Sequence, residues 1–429
     1  MTTNIAEQLP SYKTVTEVFD WGAAISKVII KWPEIIEYEM VNKDTFKVYA
    51  RRILPDGALS SSEFSKKKDS TNNESKSKSN NDLNDYREIT NVYVSDENGN
   101  KQQKNNFITI EMSVHPNNNL CSVLNYDFNS LYNNFVIPVY TITQIKPIKN
   151  MNNLIVENYK GNIRPIVDKF KFTHKNITFL SIGYAYYEPP DNEIHPLIIW
   201  LHGLGEGGSD NPSLPIMANK ANMFADESIQ KYFNGAYVLI PQCPTMWMHG
   251  YEYIGDGSSI YKNTIMELIE CYINEHSNID KSRIYIGGNS NGGYMTMILL
   301  RDYPNFFAAA FPVCQALNNN LITDSDIINI GKTPLWFVAS KTDNTIIPNK
   351  FTVPTVERLR KIGANVHFSF FDDVHDTSGL YKKDDGKPYE YNGHWSWIYV
   401  YNDECEEVIN GKNVKLMEWL ASQKKNIIE

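Results

Sequence analysis

Ile284-Tyr285-Ile286-Gly287-Gly288-Asn289-Ser290-Asn291-Gly292-Gly293-Tyr294-Met295-Thr296-Met297-Ile298-Leu299-Leu300 is the stretch on which the reading of this chain turns. Ile284-Tyr285-Ile286 has the residues of a buried strand, and Gly293–Leu300 reads as a helix. Between them Gly288-Asn289-Ser290-Asn291-Gly292 fits G-x-S-x-G. The motif needs this strand–turn–helix context, because the serine must sit on a sharp turn in strained backbone. Strand and helix converge there, and side chains two residues to either side of the serine would collide. Glycine at 288 and 292 removes them. The following helix N-terminus favours negative charge developing near Ser290, so the turn points to a nucleophilic serine.

Upstream, Pro196-Leu197-Ile198-Ile199-Trp200-Leu201 is a continuous apolar run, the pattern of a strand buried on both faces. It ends in His202-Gly203-Leu204-Gly205-Glu206-Gly207-Gly208. Acyl transfer needs two backbone N–H groups aimed at the developing oxyanion. Asn291, after the serine, and Leu204, in this glycine-rich loop, are the candidates. His202 precedes the nucleophile and reads as a structural hydrogen-bonding residue. Pro241-Gln242-Cys243-Pro244-Thr245-Met246-Trp247-Met248 follows the next strand. Its Trp247 is the candidate substrate-binding wall for a small acyl group, with core packing as the other reading.

Downstream, Pro334–Ala339 and the alternating Val366-His367-Phe368-Ser369-Phe370 are further strands, and Ile265, Leu268, Ile269, Tyr272 and Ile273 follow helical spacing. Strands alternating with helices imply a mostly parallel sheet with helices on both faces, an α/β architecture. On such a sheet the chain order of a triad is Ser, then Asp or Glu, then His. Of nine histidines only His367, His375 and His394 follow Ser290. His367 lies inside a strand. His394, after Gly393 and before a helix-like stretch, is the favoured base, and His375 the alternative. Asp343, in the loop after strand 334–339, is the candidate acid, ahead of Asp372, Asp373 and Asp376 on the histidine loop itself.

The first third of the chain has a different grammar. Short alternating runs at 46–50, 108–114 and 135–140 suggest a β-sandwich. Residues from about Ser60 to Asn84 are Ser-, Lys- and Asn-rich and nearly free of apolar groups, and read as a disordered loop between two strands. With 429 residues, two domains are expected: an all-β sandwich over 1–160 and an α/β domain over 161–429. A composition of 42% hydrophobic and 21% charged residues suits a globular chain with a full core. The net charge of −9 argues against nucleic acid as partner. No apolar run has transmembrane length, so no membrane association is expected. Met1–Glu7 is polar and lacks signal-peptide features, which suggests a cytoplasmic protein, or a secreted one whose leader is already removed. Five scattered cysteines without C-x-x-C spacing suggest neither a disulfide framework nor a zinc site. No metal or cofactor is expected.

On these residues the chain resembles a known group. From about Pro196 to Leu420 it is similar to α/β-hydrolases of the predicted-peptidase and polyhydroxybutyrate-depolymerase-like group, related to prolyl oligopeptidase. The matching pieces are Trp200–Gly208, Asn278–Tyr285 running into the serine turn, Phe306–Cys314, and His394-x-Ser396-Trp397 followed by Tyr401-Asn402-Asp403. The last of these favours His394 as base. Thr16-Glu17-Val18-Phe19-Asp20-Trp21-Gly22 resembles the immunoglobulin-like domain that precedes some esterases of this group. The chain departs from relatives in the asparagines flanking Ser290, and in a segment from about Asp376 to Asn392 that is longer than the usual loop and long enough for a lid. The resemblance implies an α/β-hydrolase fold and a serine carboxylesterase acting on small or polymeric esters through an acyl-enzyme, and the apolar loop Pro241–Met248 favours short-chain ones. The alternatives are a serine peptidase of prolyl-oligopeptidase type and an idle scaffold that only binds.

Overall fold

A computed structural model describes residues 9–54, 84–251 and 254–426. The chain divides into two compact units between Asp168 and Lys169. The strand Asn158–Ile163 pairs with Ser11–Phe19, so a cut at residue 160 would sever it from its sheet. The Ser/Lys/Asn-rich segment read as a loop lies outside the described residues, apart from Asn84, which opens a strand.

The first unit is an all-β sandwich. A five-stranded sheet carries the strands Asn158–Ile163, Ser11–Phe19, Gly22–Glu37, Lys104–Met112 and Ile89–Ser95, and a four-stranded sheet carries Ile155–Val156, Ile137–Gln144, Phe46–Ile53 and Asn84–Arg87. The inner faces meet through aromatic edges: Trp32 on Phe46 at 6.0 Å and Tyr12 on Tyr140 at 6.4 Å. Arg87 is buried between the sheets and donates to the Ile25 carbonyl at 3.1 Å, the Ser113 carbonyl at 2.8 Å and Tyr140 Oη at 3.0 Å. A buried guanidinium is tolerable only with such acceptors. The run expected at 135–140 is broken, because Val136 leaves the ladder between Tyr132–Phe135 and Ile137–Gln144.

The second unit is built on an eight-stranded sheet: β1 (Lys171–Ile177), β2 (Leu180–Tyr187), β3 (His195–Leu201), β4 (Tyr237–Pro241), β5 (Ile279–Asn289), β6 (Ala309–Val313), β7 (Leu335–Ser340) and β8 (Val366–Phe371). Their order is β1-β2-β4-β3-β5-β6-β7-β8. β3 through β8 run parallel, while β2 is antiparallel to both β1 and β4. Every residue of β3, β4, β6 and β7 is buried, which is why these strands read as unbroken apolar runs. Between the strands lie α1 (Lys262–Glu275), α2 (Asn291–Asp302), α3 (Asp324–Ile330) and α4 (Thr352–Lys361). The five apolar positions noted between 265 and 273 form the buried face of α1. This is the α/β-hydrolase fold, with the loops after β3, β5, β7 and β8 all leaving the same carboxyl edge.

Ile286, on β5, is fully buried in the main core cluster. Ile286→Ala is expected to destabilise the second unit by about 2–5 kcal/mol, read as a lower urea midpoint with an unchanged slope.

Candidate active site

Ser290 sits between β5 and α2 with φ 54° and ψ −112°, a conformation that non-glycine residues rarely adopt. Its environment shows what forces the turn. A Cβ on Gly292 would lie 1.9 Å from the Leu201 carbonyl oxygen, and one on Gly288 would lie 2.6 Å from the Gly292 backbone. Ser290 N–H donates to the Val313 carbonyl at 2.9 Å, tying the strained residue to β6.

His394 Nε2 is 2.9 Å from Ser290 Oγ, and His394 Nδ1 is 2.7 Å from Asp343 Oδ2. A carboxylate accepts, so Nδ1 carries the proton and Nε2 is left to accept from the serine hydroxyl. Asp343 is 2% exposed, and its other oxygen accepts from Thr345 N at 2.9 Å and Ile346 N at 2.8 Å. Both carboxylate oxygens are thereby committed, which fixes the imidazole plane. His394 N donates to Asn392 Oδ1 at 2.9 Å. Gly393 lets the histidine loop come down on the aspartate loop: a Cβ there would be 2.3 Å from the Thr342 carbonyl.

The other candidates lie elsewhere. His375 Nδ1 contacts Asp373 Oδ1 at 2.5 Å and Tyr399 Oη at 3.3 Å, and His367 Nδ1 is 2.6 Å from Glu407 Oε2. The long segment before His394 folds back on itself: Asp376 N donates to Tyr389 O at 2.7 Å, and Tyr391 N to Val374 O at 2.8 Å. Cys243 and Cys314 are buried near the site, and burial pushes both thiols well above their ordinary range, which disfavours the reactive thiolate form.

Leu204 opens the 3₁₀ turn Leu204–Glu206, and Asn291 opens α2. The N–H of a first helical residue has no intrahelical acceptor, so both groups are available to a ligand at the carboxyl edge. Behind them runs a buried network that sequence reasoning placed only in part. Asn291 Oδ1 accepts from Trp247 N at 2.6 Å, and Trp247 Nε1 donates to His202 O at 2.9 Å. His202 Nδ1 contacts Gly203 O at 2.6 Å, and its Nε2 accepts from Cys243 N at 2.9 Å. Trp247 is 0% exposed, which corrects its expected role as a substrate wall. Its indole is spent on the core and on bracing the loop after β3 through His202 O. Pro244 and the two methionines hid this, because an apolar wall and a core anchor have the same composition.

Comparisons with known proteins agree with this architecture. Residues 11–157 match the esterase Ig-like N-terminal domain, and residues 262–329, which span α1, β5, the serine turn and α2, match the prolyl oligopeptidase family. A solved thermostable esterase is 23% identical, covering 97% of this chain and all of its own, with a TM-score of 0.72. Acetylxylan esterase A of Emericella nidulans is 35% identical over 82 residues, 18% of this chain. The match spans 26% of the length of that relative.

Burial lowers the His202 pKa from 6.5 to about 4. The unfolded chain takes up this proton near pH 6.5 and the folded one only near 4, so the unfolded state binds more protons in between. Stability is therefore present above pH 6.5 and lost as pH falls towards 4, by about 3 kcal/mol in all. Urea unfolding at several pH values is expected to show this slope, and His202→Gln to lose its one-proton share.

Proposed function

We propose that this chain, a serine hydrolase of α/β-hydrolase fold with an esterase-type immunoglobulin-like N-terminal domain, is a carboxylesterase for short-chain esters, with Ser290 as nucleophile, His394 as base and Asp343 as its orienting acid. The observation that carries the reading is the continuous relay from Asp343 Oδ2 through the imidazole to Ser290 Oγ, at 2.7 and 2.9 Å.

In the first step Ser290 Oγ attacks the ester carbonyl while His394 Nε2 takes the hydroxyl proton. The tetrahedral oxyanion is met by the N–H groups of Leu204 and Asn291. Collapse breaks the bond to the alkoxide, which leaves with the proton from His394, and an acyl-serine remains. Water then attacks the acyl carbon with His394 again as base, releasing the acid and restoring the serine hydroxyl. Asp343 holds the imidazole in its tautomer throughout and stabilises the imidazolium. The chemistry is complete with these groups. A small acyl group is supported by the likeness to an acetylxylan esterase across 82 residues. Peptidase activity is the second reading, favoured by the prolyl oligopeptidase match at 262–329.

Ser290→Ala and His394→Ala are each expected to reduce kcat by about 10⁴–10⁶, and Asp343→Asn by about 10⁴. Phenylmethylsulfonyl labelling mapped by mass spectrometry is expected at Ser290. Parallel assays with p-nitrophenyl acetate, p-nitrophenyl octanoate and a chromogenic peptide are expected to rank acetate first. Dominant peptide turnover would replace the esterase reading with the peptidase one.

A further inference from the structure

Asn289, immediately before the serine, is 1% exposed, and neither its Oδ1 nor its Nδ2 has a hydrogen-bond partner among the described residues. Buried amide groups left in that condition are costly and call for a reason. The side chain reaches towards the oxyanion loop. The point that a Cβ on Gly203 would occupy is 2.9 Å from Asn289 Nδ2 and 3.1 Å from Glu206 Oε2. Glu206 closes the 3₁₀ turn that Leu204 opens, and it is 3% exposed, so its carboxylate faces inward rather than towards substrate. Its backbone carbonyl accepts from Gln242 Nε2 at 3.0 Å.

We infer that Asn289 and Glu206 form a buried bridge, in which the amide donates towards the carboxylate over the Cα of Gly203 through one water. The bridge ties the residue before the nucleophile to the turn that carries the Leu204 N–H. It thereby sets the separation between Ser290 Oγ and that donor, and both are positioning residues. Gly203 is required because any side chain there would fill the space between the two groups. The inference rests on the reading of Ser290 as nucleophile and of Leu204 as oxyanion donor. Both side chains lie behind the reacting atoms, so their effect falls on transition-state geometry rather than on substrate binding.

The test is a donor–acceptor swap read with p-nitrophenyl acetate. Asn289→Asp sets two carboxylates against each other, and kcat is expected to fall at least about tenfold with KM within about twofold. Asn289→Asp combined with Glu206→Gln restores one donor and one acceptor with their places exchanged, and kcat is expected to return to within about threefold of the parent. Inhibition by phenylboronic acid, which mimics the tetrahedral state, is expected to weaken and recover in step with kcat. A single variant with parental kcat, a double variant no better than the single, or a change confined to KM would each overturn the bridge. If Asn289→Asp does not fold, Glu206→Gln against Glu206→Leu reads the same contact: the first is expected to keep kcat and the second to lose about tenfold, and equal kcat in the two overturns it. Ser290→Ala is measured alongside. If that variant still turns over, the reading of the site fails on its own account, whatever the swap shows.

Discussion

The second unit depends on a crossing so close that it leaves no room for side chains. β5 delivers the chain to Ser290, α2 carries it away, and both pass the end of β3 with backbone against backbone at Gly288, Gly292 and the Leu201 carbonyl. The serine pays with a φ of 54°, a strain of about 1–3 kcal/mol that persists only where surrounding structure over-determines it. Here the bond from Ser290 N to the Val313 carbonyl and an α2 buried from Asn291 to Leu300 supply that determination. The same crossing places the glycine-rich loop after β3. Once Leu201 lies beneath Gly292, the turn that leaves β3 has to emerge beside the hydroxyl.

His394 and Asp343 arrive differently. β7 and β8 are neighbours in the sheet, so the loops that follow them leave the edge side by side. A long excursion separates β8 from His394, yet backbone hydrogen bonds between Val374 and Tyr391 and between Asp376 and Tyr389 gather it at its base. What brings the imidazole home is the absence of a side chain at Gly393, against the Thr342 carbonyl. The length of the excursion is therefore no obstacle to the contact with Asp343.

The parts legible in the sequence were those where one physical demand dominates. Continuous burial announces β3 and β7, and helical spacing announces the buried face of α1. The steric demand of the turn announces Gly288, Ser290 and Gly292. The β1–β2 hairpin was missed because its residues alternate weakly and include Gly183, His174 and several tyrosines that serve edge and core alike. Trp247 was ambiguous because composition does not say which side of an aromatic ring faces water. Asn289 and Glu206 carry no local signal, since their relation exists only after β3 and β5 have been brought together.

A structure of the protein inactivated with a small alkyl phosphonate tests the central claim most directly. The account predicts phosphorus bonded to Ser290 Oγ and one phosphoryl oxygen about 3 Å from both Leu204 N and Asn291 N, with His394 facing the leaving-group side. Phosphorus on another residue, or a phosphoryl oxygen turned away from both N–H groups, would contradict it.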